Sequence, residues 1–155
     1  MELLAGLGTW PGAVLLQRSG TAYLLVNASH ILGIALLIGA IWPLDLRLLG
    51  LFRSVPVAAL APVLSRMAGI GLALALLTGA WLFTVRPVEY ARNAAFLWKL
   101  GLLALALVNI AVQHRSAAYA RALAGEITAT VKLRALASLM LWLSVLLAGR
   151  WIGFL

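Results

Sequence analysis

The sequence predicts an all-α protein, an integral membrane four-helix up-and-down bundle, and three observations carry that prediction. Only 10% of the 155 residues are charged while 65% are hydrophobic, and the mean hydropathy is +1.08. A soluble domain carries about 25% charged residues, so this composition suits lipid as the solvent. The chain also holds four apolar runs, each near the length of about 20 helical residues that crosses about 30 Å of hydrocarbon. Tryptophans and basic residues stand at the ends of these runs, as membrane interfaces require. The length leaves room for a single membrane domain over residues 1–155.

The first span is expected at 22–43. No Asp, Glu, Lys or Arg occurs from Tyr23 to Trp42, and Pro43, Asp45 and Arg47 mark its exit. The second, at 66–85, lies between Arg66 and Arg86 and repeats Gly71, Ala75 and Gly79 at a spacing of four. Small residues at that spacing let helix backbones approach closely. The third, at 94–114, opens after Asn93 as an N-cap and is interrupted only by Lys99 before His114. Ahead of it the loop Arg86-Pro87-Val88-Glu89-Tyr90 contains a proline that blocks helix continuation. The fourth, at 133–154, has Arg134 at its start and Arg150 near its end, both able to snorkel.

Trp42 and Trp81 close spans, Trp98 opens one and Trp151 lies near the last exit; Trp142, inside the fourth span, breaks the pattern. The longest connection, 115–132, mixes Ala and Leu with Arg121, Glu126 and Lys132, which suggests an extended helix or interfacial segment. A cleaved signal peptide is not expected, because Met1-Glu2-Leu3-Leu4 lacks a basic start and the first long apolar run begins after Arg18.

The formal charge of +8 flanks the spans and forms no single patch, which fits anionic lipid headgroups and not nucleic acid. Arg18, Arg86, Arg92, Lys99 and Arg150 fall on the side of the N-terminus. Arg47, Arg53, Arg66, Arg115, Arg121, Lys132 and Arg134 fall on the other. The positive-inside rule makes the second side cytoplasmic and leaves both termini periplasmic. The absence of cysteine excludes disulfides, thiolate metal sites, iron–sulfur ligation and cysteine nucleophiles. The four acids, Glu2, Asp45, Glu89 and Glu126, are read as lying outside or at the ends of spans. No paired-carboxylate site, phosphate loop or nucleophile motif is present, and a proton-coupled transporter lacks its mid-membrane acid.

His30 is the most informative residue, because an ionisable group well inside a span is costly and usually faces a bundle interior, cavity or cofactor. At about 100° per residue it shares a face with Tyr23, Asn27, Gly33 and Leu37. Gly33, one turn on, leaves room for a ring cofactor or for close contact with a neighbouring helix. Lys99, Asn109, Gln113 and His114 form a comparable stripe on the third span. Two histidines on two helices raise bis-histidine haem b, yet His30 lies about 13 residues before its exit and His114 stands at its own. The mismatch is about 20 Å at 1.5 Å per residue, so pairing them on one haem is strained. Asn27 and Lys99 are the neighbours available to His30. Met67 or Met140 could serve beside His114, and a histidine hydrogen-bonded between helices is the plain alternative.

The stretch His30-Ile31-Leu32-Gly33, then Leu44-Asp45-Leu46-Arg47-Leu48-Leu49-Gly50, with Asn93-Ala94-Ala95-Phe96, Lys99 and Asn109 downstream, resembles a family of small bacterial four-helix inner-membrane proteins of unknown function. That family looks distantly similar to copper-resistance D-type proteins and b-type cytochrome bundles. The resemblance covers most of the chain and implies a shared role for His30, Asp45, Arg47, Phe96, Lys99 and Asn109. An acidic residue often precedes the first histidine of the pattern; here Asn27 occupies that region.

The expectation is therefore an inner-membrane subunit of haem-b redox type. Cofactor-binding or metal-ligating residues would be His30 and His114, with Asn27, Gly33, Lys99 and Asn109 supporting them. Its partners would be the lipid bilayer, other membrane subunits or a second copy, and quinone. The alternatives are a non-enzymatic accessory or scaffolding subunit, and a metal or small-solute transport protein.

Overall fold

In a computed structural model, described over residues 2–154, the chain is helical and shows no strand among those residues. The helices are α1 (Glu2–Gly6), α2 (Pro11–Arg18), α3 (Gly20–Leu49), α4 (Val57–Phe83), α5 (Pro87–Arg92), α6 (Ala94–His114), α7 (Ala117–Leu123) and α8 (Ala129–Trp151). A 3-10 turn, Ile152–Phe154, extends α8. Four of these, α3, α4, α6 and α8 with its extension, are long and apolar enough to cross a membrane.

The spans exist where the sequence places them, but three of them have different ends. Ser19 starts α3 by accepting a hydrogen bond from the Ala22 amide at 3.2 Å. The helix then passes through Pro43 and continues to Leu49, two turns beyond the expected exit. Proline removes one backbone hydrogen bond, and burial of Leu44 and Leu48 on the next turns offsets that loss. Termination comes at Gly50, whose φ of 112° suits glycine, with the Leu51 amide reaching back to the Leu46 carbonyl at 3.0 Å. At 30 residues α3 is about 45 Å long, more than the hydrocarbon needs.

Likewise α4 begins at Val57, nine residues before the expected start, because Val57 and Ala61 pack into the core while Arg66 stays exposed. Its last helical residue is Phe83 instead of Val85. Only the third span has the expected bounds: the Asn93 side chain accepts from the Phe96 amide at 3.1 Å and fixes the start of α6. Such a cap contributes about 1 kcal/mol. The connection expected as an extended helix or interfacial segment holds only the seven-residue α7, and α8 starts at Ala129, four residues early.

The N-terminal helices α1 and α2 had no assignment from sequence. The segment Trp10–Arg18 is tied to the end of α4. Trp10 Nε1 donates to Thr84 Oγ1 at 3.0 Å, Trp81 Nε1 to the Gly12 carbonyl at 3.0 Å, and Gln17 Nε2 to the Val85 carbonyl at 3.2 Å.

The long helices associate as α3 with α4 and α6 with α8, and α3 against α8 joins the two pairs. Glycine sets the first contact. A Cβ on Gly33 would lie 2.7 Å from the Ala75 amide nitrogen, and one on Gly71 would lie 2.6 Å from that of Leu37. The Gly71-Ala75-Gly79 stripe is thus the surface on which α3 rests. One core cluster joins Leu37, Ala40, Ile41, Ala68 and Ala106 around Trp142. A second, nearer the α3–α4 turn, joins Leu44, Leu48, Val57 and Ala61 to Tyr119, Ala122, Val131 and Ala135. Trp142 is 1% exposed, the largest fully buried side chain, which explains why this tryptophan departs from the interfacial pattern.

Candidate functional site

Polar side chains collect at two levels of the molecule. At the first, His30 Nδ1 lies 2.9 Å from the Ala75 carbonyl and 3.1 Å from Thr78 Oγ1. A carbonyl can only accept, so Nδ1 carries the proton. Thr78 agrees, because its hydroxyl donates to the Leu74 carbonyl at 2.6 Å and offers His30 only a lone pair. Nε2 is left as the free acceptor of the neutral ring, with no hydrogen bond among the described residues. The ring packs on Gly79, where a Cβ would come within 2.9 Å of Cε1. Of the two arrangements that Gly33 permits, the structure has the close helix contact, with the α4 backbone in the available space.

Lys99 is half-buried and runs along α8, its Cε 3.5 Å from a Cβ position on Gly149. Asn27 is half-buried on the same helix as His30. Asn109 lies elsewhere: its Nδ2 donates to the Arg134 carbonyl at 3.2 Å and ties α6 to α8. His114 is exposed. Its Nδ1 lies 3.1 Å from the Ile110 carbonyl one turn back, and its ring stands 4.8 Å from that of Tyr119. Met67 and Met140 are both exposed.

His30 therefore meets α4 at Ala75–Gly79, whereas His114 borders the cavity that Ser65 lines. About 13 residues of helix, or roughly 20 Å, separate Ser65 from Thr78. A haem takes its two axial ligands at one level, so this chain offers it one histidine at each of two levels. No group of three or more metal-ligating side chains occurs among the described residues.

The second level is a cavity of about 150 Å³ lined by α3, α4, α6, α7 and α8. Its walls are mainly apolar, with Asp45, Ser65, Gln113, Tyr119, Arg134 and Ser138 reaching it. Asp45, read from sequence as a helix-exit residue, is instead inside α3 and 7% exposed; Gln113 is 6% exposed. Asp45 Oδ2, both amide atoms of Gln113 and Arg134 Nη1 are buried without a hydrogen-bond partner. Each such group costs about 1–3 kcal/mol, more when charged, and native proteins hold only a few per 100 residues. Their convergence on one cavity marks a site shaped for something polar. Burial raises the pKa of Tyr119 above its ordinary value, with the nearby Ser65 hydroxyl opposing, so at neutral pH Tyr119 keeps its proton to donate.

On the sequence Asn109 and Gln113 share a polar stripe with Lys99, and nothing in that stripe signals a cavity. Spacing along one helix carries no signal that Asp45 of α3, Tyr119 of α7 and Arg134 of α8 converge there. No curated protein and no solved structure is significantly similar to this chain. Residues 11–155 match DUF6644, a family of unknown function, and the chain belongs to that family.

Proposed function

We propose that this chain is a small multi-pass inner-membrane subunit, a four-helix up-and-down bundle with both termini periplasmic, whose working site is the polar cavity at its cytoplasmic end. Loop charge supports the orientation: Arg47, Arg53, Arg115, Arg121 and Lys132 gather at the end where the cavity lies. The function is binding of a small molecule, and no catalytic constellation is assigned to it. One observation carries this reading: the unpartnered atoms Asp45 Oδ2, Gln113 Oε1 and Nε2, and Arg134 Nη1 all belong to residues that line one cavity. A cavity of this size in an apolar core holds one benzene ring; with polar walls it suits a substituted ring.

The test is purification in mild detergent followed by organic extraction and mass spectrometry. Wild-type protein should yield a small molecule at near one per chain, and Gln113→Leu should not. The same variant should raise the thermal midpoint of the ligand-free protein, because it removes two unsatisfied polar atoms. Wild-type protein that releases nothing beyond bulk lipid would sink the proposal.

A second reading keeps haem b at the other level and rests on His30. Ligating histidines almost always donate their other ring N–H to a carbonyl or carboxylate, which Nδ1 does here with Ala75. Haem would supply one-electron transfer, and the opposite ligand would come from a partner subunit or a second copy. This predicts a Soret band on the membrane-extracted complex, lost in His30→Gln. A colourless complex containing no haem rejects it.

A further inference from the structure

Resting on the cavity reading above, the geometry points to a lipid-soluble ligand: we propose that the cavity takes a neutral ring bearing carbonyl oxygens on an apolar tail, of the quinone class, admitted sideways from the bilayer between α4 and α6.

The way in follows from the packing. Three sides of the bundle are closed, by α3 against α4, α3 against α8 and α6 against α8, while α4 and α6 make little direct contact. The cavity reaches that open side, since Gly69 and Leu72 of α4 and Ile110 of α6 line it. A Cβ on Gly69 would meet no atom within 4 Å, so space lies beside the wall at that point. At the end toward the membrane surface α7 covers the cavity with Tyr119, itself buried. A route through lipid is therefore open where the route from water is covered.

The head of the ligand follows from the wall. Arg134 Nη1 and Gln113 Nε2 are unused donors, so the ligand brings acceptors. Asp45 lines the same space as Arg134, so an anionic head placed beside Arg134 would also face Asp45. A neutral carbonyl satisfies both donors without facing a carboxylate as a like charge. The Gln113 Oε1 and Asp45 Oδ2 lone pairs are left for a hydroxyl, so the reduced, dihydroxy form of the ring is accommodated on the same wall.

The test uses the full chain in detergent, with a benzoquinone bearing a ten-carbon tail as the probe and decanoate as the anionic control, read by quenching of tryptophan fluorescence. Saturable binding should weaken at least tenfold in Gln113→Leu and in Arg134→Met. Each variant is accepted only if it runs as a monodisperse peak, and two are used so that one misfolded variant does not end the test. Gly69→Leu, which fills the gap on the α4 side, should slow association at least tenfold. Equal binding by wild type and both wall variants means partition into detergent and overturns the proposal. Preferential binding of decanoate, or unaltered association in Gly69→Leu, also overturns it while leaving a ligand in the cavity. If neither probe binds and extraction yields no ligand, the cavity reading fails as well.

Discussion

Gly33→Ala and Gly71→Ala each lower the thermal midpoint of the detergent-solubilised protein, whereas Gly39→Ala and Gly101→Ala hold or raise it. All four glycines sit inside membrane-spanning helices, where propensity favours alanine by about 1 kcal/mol. What differs is the space around them. Around Gly39 and Gly101 nothing lies within 4 Å of the added carbon. At Gly33 that carbon would meet the Ala75 amide nitrogen at 2.7 Å and the Gly71 carbonyl oxygen at 2.9 Å. At Gly71 it would meet the Leu37 nitrogen at 2.6 Å and the Gly33 oxygen at 2.7 Å. Backbone atoms cannot rotate away as a side-chain end does, so α3 and α4 must separate. Overpacking of this kind costs about 1–3 kcal/mol, occasionally more, which reverses the propensity gain. Leucine at either site should remove the monodisperse peak in size-exclusion chromatography. An unchanged midpoint in both alanine variants would mean that α3 and α4 are not in this close contact.

The glycine contact was legible because it is written in one helix at a fixed spacing, and so was the Asn93 cap, which involves residues three apart. Ends of helices were less so. Charges and prolines report where hydrocarbon stops, and Pro43 and Arg66 do so, but the helices run on past them because Leu48, Val57 and Ala61 still have a core to enter. His30 was identified as an interior residue from the face it shares with Asn27 and Gly33, and it does lie between α3 and α4. Its partners were not legible: the Ala75 carbonyl is a backbone group, and Thr78 lies 48 residues away.

Asp45 was misplaced for the same reason. Near the end of an apolar run a carboxylate reads as a group in the headgroup layer, and only the docking of α7 and α8 buries it. The polar stripe on α6 was real as a pattern but served three separate contacts: Lys99 along α8, Asn109 on the Arg134 carbonyl and Gln113 in the cavity. Periodicity gives the face of a helix; it does not say which neighbour each turn of that face will meet.

Trp142→Ala should be the most destabilising single truncation in the chain, with a cost of about 3 kcal/mol or more. In soluble proteins, replacing a buried tryptophan by alanine costs about 3–5 kcal/mol, combining lost transfer energy with the cavity left behind. Within a bilayer lipid tails are as apolar as the core, so the driving force for helix association is mainly packing. The cavity part remains, and the lower end of the range follows. Trp142 is placed to make that part large: it is 1% exposed, and Ala40 and Ala106, at 1% and 0%, are too small to fill the space an indole leaves. It also joins Leu37 and Ile41 of α3 to Ala106 of α6, so its loss loosens the contacts among the helices at once.

Trp151→Ala is the control, because that side chain is 60% exposed and has little packing to lose. Trp142→Phe separates shape from polarity. The indole N–H is buried with no partner, so phenylalanine forfeits volume but no hydrogen bond, and its cost should fall well below that of alanine. Thermal melts of the three variants in one detergent, followed by near-ultraviolet circular dichroism, give the ranking. A Trp142→Ala midpoint within about 2 °C of wild type, less than 1 kcal/mol for a chain of this size, would mean that this indole is not the packing centre of the four long helices.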